Sequence, residues 1–331
     1  MDELKKYYDI IFNEINNFTN NVIITSEKDK IIYEMIKEYS IRGKLIRGSL
    51  ILAINEIFNN EISEDAIKLA LSVELMHSSI LVIDDIIDKD KLRRGKPSMH
   101  ILASKLIPNS IDIEHDSESV AQCIGLIGTY HSFNLISNLD YGTKIIAEEF
   151  IKTGFAELNE IILQQNDNYN EEDVFLIYEN KTARYTVTLP FRLGYSISNK
   201  EFNNEIERIT ILLGIIFQIK DDLLELESNS NEIGKSNLSD IRSGKKHLPR
   251  KILENLVNDE DKILLNKYYN LLDDDSVLKI KELYDKYNVV SKVNERVEEL
   301  NIELESLINK QDFKLKSFLI KLKEYVYLRT K

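Results

Sequence analysis

Residues 66–87 read AIKLALSVELMHSSILVIDDII, an apolar run whose hydrophobic positions recur every three or four residues and which carries two adjacent aspartates, Asp84 and Asp85, near its end. That period belongs to a helix, and a helix that is apolar on nearly every side belongs in a core. The same spacing fills residues 31–58, IIYEMIKEYSIRGKLIRGSLILAINEIF. There is no convincing period-two alternation carrying strand punctuation and no repeat of fixed length. The chain has 331 residues but only 11 Gly and 4 Pro, so few breakers interrupt it. These features predict an all-α fold, one large helical bundle over residues 1–331 as a single domain. Breaks are expected near 58–65, 92–98, 107–119, 166–173 and 228–249. Residues 250–312, rich in charge at helical spacing, are expected to form a peripheral helical layer.

Composition narrows the function. A net charge of −13 argues against non-specific nucleic-acid binding, so an anionic substrate must be met by local clusters of Lys and Arg. The single cysteine, Cys123, has no internal disulfide partner and no zinc-ligand spacing around it, which points to a reducing, cytoplasmic compartment. No apolar run approaches the roughly 18 residues of a membrane span.

The end of the opening stretch is the first candidate site. On one helix Asp84 and Asp88 are i,i+4 and Asp85 and Asp88 are i,i+3, so like charges share a face and repel by a few tenths of a kcal/mol per pair. Either water solvates them or a cation joins them, and oxygen-only donors in this arrangement suit Mg²⁺, which shares its coordination with waters and substrate phosphates. A second stripe, FQIKDDLLELE at 217–227, places Gln218, Asp221, Asp222 and Glu225 on one helical sector, again behind an apolar run. Arg93 and Arg94 follow the first stripe beside Gly95, where the chain can turn, and Arg offers a planar fork of donors that matches a phosphate. Lys44 and Arg47 are i,i+3. Lys181, Thr182, Lys235 and Lys245 sit among Gly or hydroxyl residues. His77 lies two helical turns before Asp84. Carboxylates that gather Mg²⁺, surrounded by Arg and Lys and next to apolar helices, describe a site for a diphosphate head with a greasy tail in a central apolar cavity. No GxxxxGK[ST] loop is present, which excludes the P-loop kinases.

Taken together, GKLIRG, VELMHSSILVIDDIIDKDKLRRGKPS, YENKTARYTVTLPFRLG, GIIFQIKDDLLELE, GKSNLSDIRSGKKHLP and the final FLIKLKEYVYLRTK resemble, in order and separation, the trans-type isoprenyl diphosphate synthases (polyprenyl synthetases), most of all the archaeal geranylgeranyl diphosphate synthases. The resemblance implies an isoprenoid-synthase bundle, usually a homodimer, that condenses an allylic diphosphate with isopentenyl diphosphate head to tail, with about three Mg²⁺ per active site. It assigns Asp84, Asp85 and Asp88 to metal at the allylic diphosphate, and Asp221, with Asp222 and Glu225, to a further metal. Arg93, Lys181, Thr182, Gln218, Lys235 and Lys245 would hold the allylic diphosphate, and Lys44, Arg47, His77 and Arg94 isopentenyl diphosphate. Asp84, Asp85, Asp88, Arg93, Lys181 and Asp221 would carry the chemistry. No transmembrane segment is expected, only a transient membrane contact for product release.

Several positions depart from the family pattern. Leu45 replaces an Arg, Gly48 a Pro, Thr129 the Asp of a Gly-Asp pair, Glu225 an Asp and His247 a Thr, and a GQxxD block is not evident in LNEIILQQND. Met76, Ser79 and Ile80 occupy the helix that sets product length in the family, and a small Ser79 implies twenty carbons or longer. The alternatives are a class I terpene cyclase, against which DDLLE argues, and a non-catalytic partner subunit.

Overall fold

The computed structural model describes residues 2–18, 22, 24–227, 238–271 and 273–327. In chain order its helices are α1 (Asp2–Asn17), α2 (Glu27–Ser40), α3 (Ile46–Asn59), α4 (Glu64–Ile87), α5 (Met99–Ala103), α6 (Ile113–Leu135), α7 (Asp140–Gln164), α8 (Glu171–Ile177), α9 (Leu189–Ile197), α10 (Asn204–Glu227), α11 (Ser239–Arg242), α12 (Leu248–Leu256), α13 (Asp259–Leu271), α14 (Asp274–Lys286), α15 (Val289–Ile308) and α16 (Phe313–Tyr327). The fold is all-α, as the periodicity predicts. The chain forms two compact units, Met1–Ala147 with Pro190–Phe202, and Glu148–Leu189 with Asn203–Lys331.

In the first unit α4 is the central element and packs on α3 and α6. Leu69, Ala70, Val73, Leu75 and Met76 are buried on several sides of it, which is why its sequence lacks an amphipathic stripe. Ser63 caps its N-terminus by accepting from the Ala66 N–H. By length and composition alone α4 is apolar enough to cross a membrane, but 72 % of its apolar window is buried within the protein, as in a core helix. The helices break at 92–98 as expected, and the break is a small hairpin, β1 (Leu92–Arg93) antiparallel to β2 (Lys96–Pro97). Its two-residue loop, Arg94 and Gly95, has φ of 55° and 72°. Positive φ at both positions is the turn whose twist matches a hairpin, and Gly95 supplies it without strain.

In the second unit α10 packs against α15, α16 and an eleven-residue π-helical segment, Tyr178–Thr188. A Cβ on Gly214 of α10 would fall 2.3 Å from the Ala183 Cα, so only glycine allows this approach. π-Helical turns concentrate at functional sites, and this one carries Lys181 and Thr182. The 250–312 region forms α12 to α15, and α15 buries Val289, Val293, Val297, Leu304 and Ile308 along one face, with charged residues on the other.

Candidate active site

The first acidic stripe is not uniform. The Asp85 side chain is completely buried, while that of Asp84 retains 18 % exposure and Asp88 caps the helix end in the open. Adjacent helical residues diverge by about 100°, so Asp85 turns inward, where a lone carboxylate would be costly. Two partners satisfy it. Tyr39 of α2 donates its hydroxyl to Oδ2, and Arg93 of β1 donates through Nε to Oδ1. The same guanidinium reaches Asp84 Oδ2 through Nη2 at 2.9 Å. Burial pulls the Arg93 guanidinium down, but Asp85 and Asp84 together hold it above its ordinary range. The hairpin thus aims Arg93 back at the stripe while placing Arg94 in the turn.

Arg94 reaches the turn after α2. Its guanidinium lies against the backbone of Gly43, where an added Cβ would be 2.3 Å from Nη1. Arg42 Nη1 donates to the Pro97 carbonyl at 2.8 Å and its guanidinium lies over the Tyr39 ring, fastening the hairpin to the turn after α2. Lys44 is exposed on that turn and Arg47 lies in the first turn of α3. His77 is buried, and this burial together with the positive charges of Arg47, Arg94 and Arg93 keeps its imidazole well below its ordinary pKa, hence neutral. The predicted isopentenyl set therefore shares one basic region of the first unit.

One departure from the family pattern, Gly48, has a structural reason here. The Gly48 N–H donates to Glu74 Oε1 at 2.8 Å, a bond that proline lacks the hydrogen to make. A Cβ at Gly48 would also stand 2.7 Å from Ile11. Burial raises the Glu74 carboxyl against the opposing pull of Arg47, the Gly48 amide and Arg94. Leu45 is buried, with φ 47°, at the N-cap of α3.

The chain-length residues separate. Met76 and Ile80 are spaced at i−8 and i−4 from Asp84 and share its sector of α4, whereas Ser79, five residues back, points about 140° away. Its hydroxyl donates to the Leu75 carbonyl, and a Cβ on Gly128 of α6 would lie 2.4 Å from Ser79 Oγ. Ser79 thus lies at a close contact between α4 and α6. Ile83 and Ile87, beside the aspartates, are 38 % and 36 % exposed, an apolar surface next to acidic groups.

In the second unit the pattern of the aspartate pair recurs. Asp221 is half-buried and Asp222 is 2 % exposed. Tyr178 donates to Asp222 Oδ2, Gln218 Nε2 donates to Oδ1 at 2.8 Å, and Thr182 Oγ1 donates to Gln218 Oε1 at 2.7 Å. Burial raises the Asp222 carboxyl even though Lys245 draws it down. Lys181 Nζ pairs with Glu157 at 2.8 Å and with Glu160. Sequence reading missed these two glutamates, although their i,i+3 spacing in FAELNEIILQQ was visible where the GQxxD block was sought. The adjacent lysines of RSGKKHLP separate too. Lys245 Nζ stands 3.5 Å from Asp240, while buried Lys246 donates to the carbonyls of Leu163 and Asn166 and is structural. Lys235 and the Glu225 side chain lie outside the described residues. A groove of about 770 Å³ between α8, α12 and α15, lined by Tyr169, Lys251 and Arg296 among others, contains none of the predicted residues.

His247 acts as a cap. Its Nδ1 accepts from the Arg250 N–H at 3.2 Å at the start of α12, a role the family's threonine is also suited to. Burial lowers its pKa from 6.5 to about 4, against the pull of Asp240. The unfolded chain takes up this proton near 6.5, so the stabilisation is complete above that pH and is lost as pH falls toward about 4. His247→Thr keeps an acceptor but removes the titration. Urea unfolding at pH 7, 5.5 and 4 is therefore expected to show a smaller loss of stability on acidification in the variant than in the wild type.

Among the described residues no group of three His, Cys, Asp or Glu side chains is ready-made to enclose a metal. Oxygen donors held one or two at a time, with Asp84 and Asp88 reaching outward, fit a cation that keeps waters and shares phosphate oxygens, as Mg²⁺ does.

A polyprenyl synthetase family model matches residues 29–287. The geranylgeranyl diphosphate synthase of Saccharolobus solfataricus is 30 % identical over 286 residues, covering 81 % of this chain and 80 % of that one. That of Sulfolobus acidocaldarius is 30 % identical over 274 residues, with 80 % of each covered. Among solved structures, the geranylgeranyl pyrophosphate synthase of Corynebacterium glutamicum, complexed with isoprenyl diphosphate and magnesium, superposes with a TM-score of 0.85 at 20 % identity, covering 99 % of both chains. A hairpin arginine closed on the DDIID aspartates, a π-helical lysine and threonine, and a match of this length leave one assignment: the chain belongs to the polyprenyl synthetase family.

Proposed function

We propose that this protein is a Mg²⁺-dependent trans-prenyltransferase that condenses an allylic diphosphate with isopentenyl diphosphate, head to tail, to give a prenyl diphosphate of twenty carbons or longer, such as geranylgeranyl diphosphate. The observation that carries this reading is Arg93, bound to Asp84 and Asp85 at the end of an apolar helix, in a chain of this family. Bound Mg²⁺ would supply charge neutralisation on the diphosphate, held by Asp84 and Asp88 and by Asp221. Asp85 and Asp222, buried and already bonded, position their neighbours. Arg93, Lys181, Lys245, Thr182 and Gln218 hold the allylic diphosphate and stabilise the charge that develops on it as the carbon–oxygen bond breaks. Lys235 joins this set by its place in the motif, as Glu225 joins the acidic one.

Lys44, Arg47, Arg94 and neutral His77 hold isopentenyl diphosphate, whose double bond attacks the allylic cation. Ile80, Ile83 and Ile87 offer the tail an apolar wall that keeps water from the cation. Each unit also carries an exposed apolar stripe, Leu126, Ile127 and Tyr130 on α6 in the first and Ile151, Phe155, Leu158 and Ile162 on α7 in the second. Surfaces of this kind mark interfaces, and a second copy of the chain, as a cytosolic homodimer, is their proposed cover.

Incubation with isopentenyl diphosphate and farnesyl diphosphate, followed by sizing of the products, tests the reading, which expects twenty carbons or more; failure to extend the fifteen-carbon primer contradicts it. Gly43→Ala probes the isopentenyl half. The new Cβ displaces the flexible end of Arg94, so steady-state kinetics are expected to show a several-fold rise in KM for isopentenyl diphosphate, with KM for the allylic substrate and the melting temperature nearly unchanged.

A further inference from the structure

The two aspartate pairs share a device that nothing in the motifs themselves announces. In each pair the second carboxylate is buried, Asp85 at 0 % and Asp222 at 2 % exposure. In each it accepts a hydrogen bond from a buried tyrosine on another element, Tyr39 on α2 and Tyr178 in the π-helical segment. Each buried carboxylate gives its other oxygen to a residue of the proposed diphosphate set, Arg93 in one unit and Gln218 in the other. Tyr178 does more, since its oxygen accepts the Leu248 N–H at 2.8 Å, three residues after Lys245.

We propose that Tyr39 and Tyr178 are positioning residues for diphosphate binding, each fixing the buried aspartate of a pair so that the neighbouring aspartate and its cationic or amide partner keep their orientation. The inference rests on the function proposed above. Each carboxylate has two oxygens, and each oxygen has its own side-chain partner. With the tyrosine hydroxyl on Oδ2, Asp85 presents Oδ1 to both Nε and Nη2 of Arg93, and Nη2 also reaches Asp84 Oδ2 at 2.9 Å. Without it, Asp85 is free to rotate and Arg93 to swing with it. An unperturbed tyrosine titrates at about 10, so both hydroxyls are protonated at neutral pH and both remain donors.

The test compares Tyr39→Phe and Tyr178→Phe with Tyr284→Phe, a control that removes the hydroxyl of another buried tyrosine, bonded to Tyr269 at 3.1 Å and remote from either pair in sequence. Calorimetric binding of inorganic pyrophosphate with Mg²⁺ is expected to weaken about tenfold in the first two and not in the control, for a comparable change in melting temperature. In turnover, KM for the allylic diphosphate and the half-saturating Mg²⁺ concentration rise, while KM for isopentenyl diphosphate is unchanged. Unaltered pyrophosphate binding in both variants, or loss of the fold in both, overturns the proposal and leaves the tyrosines as stability residues. A wild-type protein that binds pyrophosphate but turns over no substrate counts against the proposed function alone.

Discussion

Replacing Asp84 with asparagine is expected to lower turnover by on the order of 10²–10³-fold and to raise the Mg²⁺ concentration needed for half-maximal rate, with little change in melting temperature. The asymmetry follows from where Asp84 lies. Its side chain keeps 18 % exposure and accepts from Arg93 at 2.9 Å. An asparagine oxygen can still accept that bond, so the fold loses little. What disappears is the negative charge that would hold the cation, and an amide oxygen is a weaker ligand for Mg²⁺ than a carboxylate. Steady-state rates over a Mg²⁺ titration, with circular dichroism melts of both proteins, check the prediction, and an unchanged rate removes Asp84 from the site.

Arg93→Met is expected to fail in both respects. Methionine fills much of the volume of the arginine stem but leaves Asp85, a carboxylate with no exposed surface, with Tyr39 as its side-chain donor. Removing one partner of a buried pair costs about 3–5 kcal/mol because the remaining charge is stranded. The melting temperature should fall by several degrees and the activity should be lost. Combining Arg93→Met with Asp85→Leu tests the origin of the loss. The double variant is expected to regain most of the stability and none of the activity, since the stranded charge is gone but the diphosphate clamp is gone with it.

How much of this was legible in the sequence depends on the distance over which each feature is encoded. Helix α4 and both acidic stripes are written in local periodicity, and the turn at Arg94–Gly95 in local chemistry. Two-residue strands are too short to show alternation, so the hairpin read as a break. That one aspartate of each pair turns inward follows from helical phase only once every side of the helix is known to be packed. Tyr39 and Tyr178 reach their aspartates across 46 and 44 residues, a separation that no motif spans. The close approach of the π-helical segment to α10 depends on Gly214 meeting Ala183, and the role of His247 on an N-cap that other acceptors can fill. Of the adjacent lysines, nothing local says that Lys246 is spent on two carbonyls while Lys245 remains near Asp240.

The most direct measurement of the central claim is Mg²⁺-dependent release of diphosphate by the purified protein, assayed with the allylic substrate alone, with isopentenyl diphosphate alone and with both. The account predicts release only when both are present, abolished by chelation of the metal. Release from the allylic substrate alone would point to a cyclase or hydrolase, and no release under any condition would point to a non-catalytic subunit; either result contradicts the account.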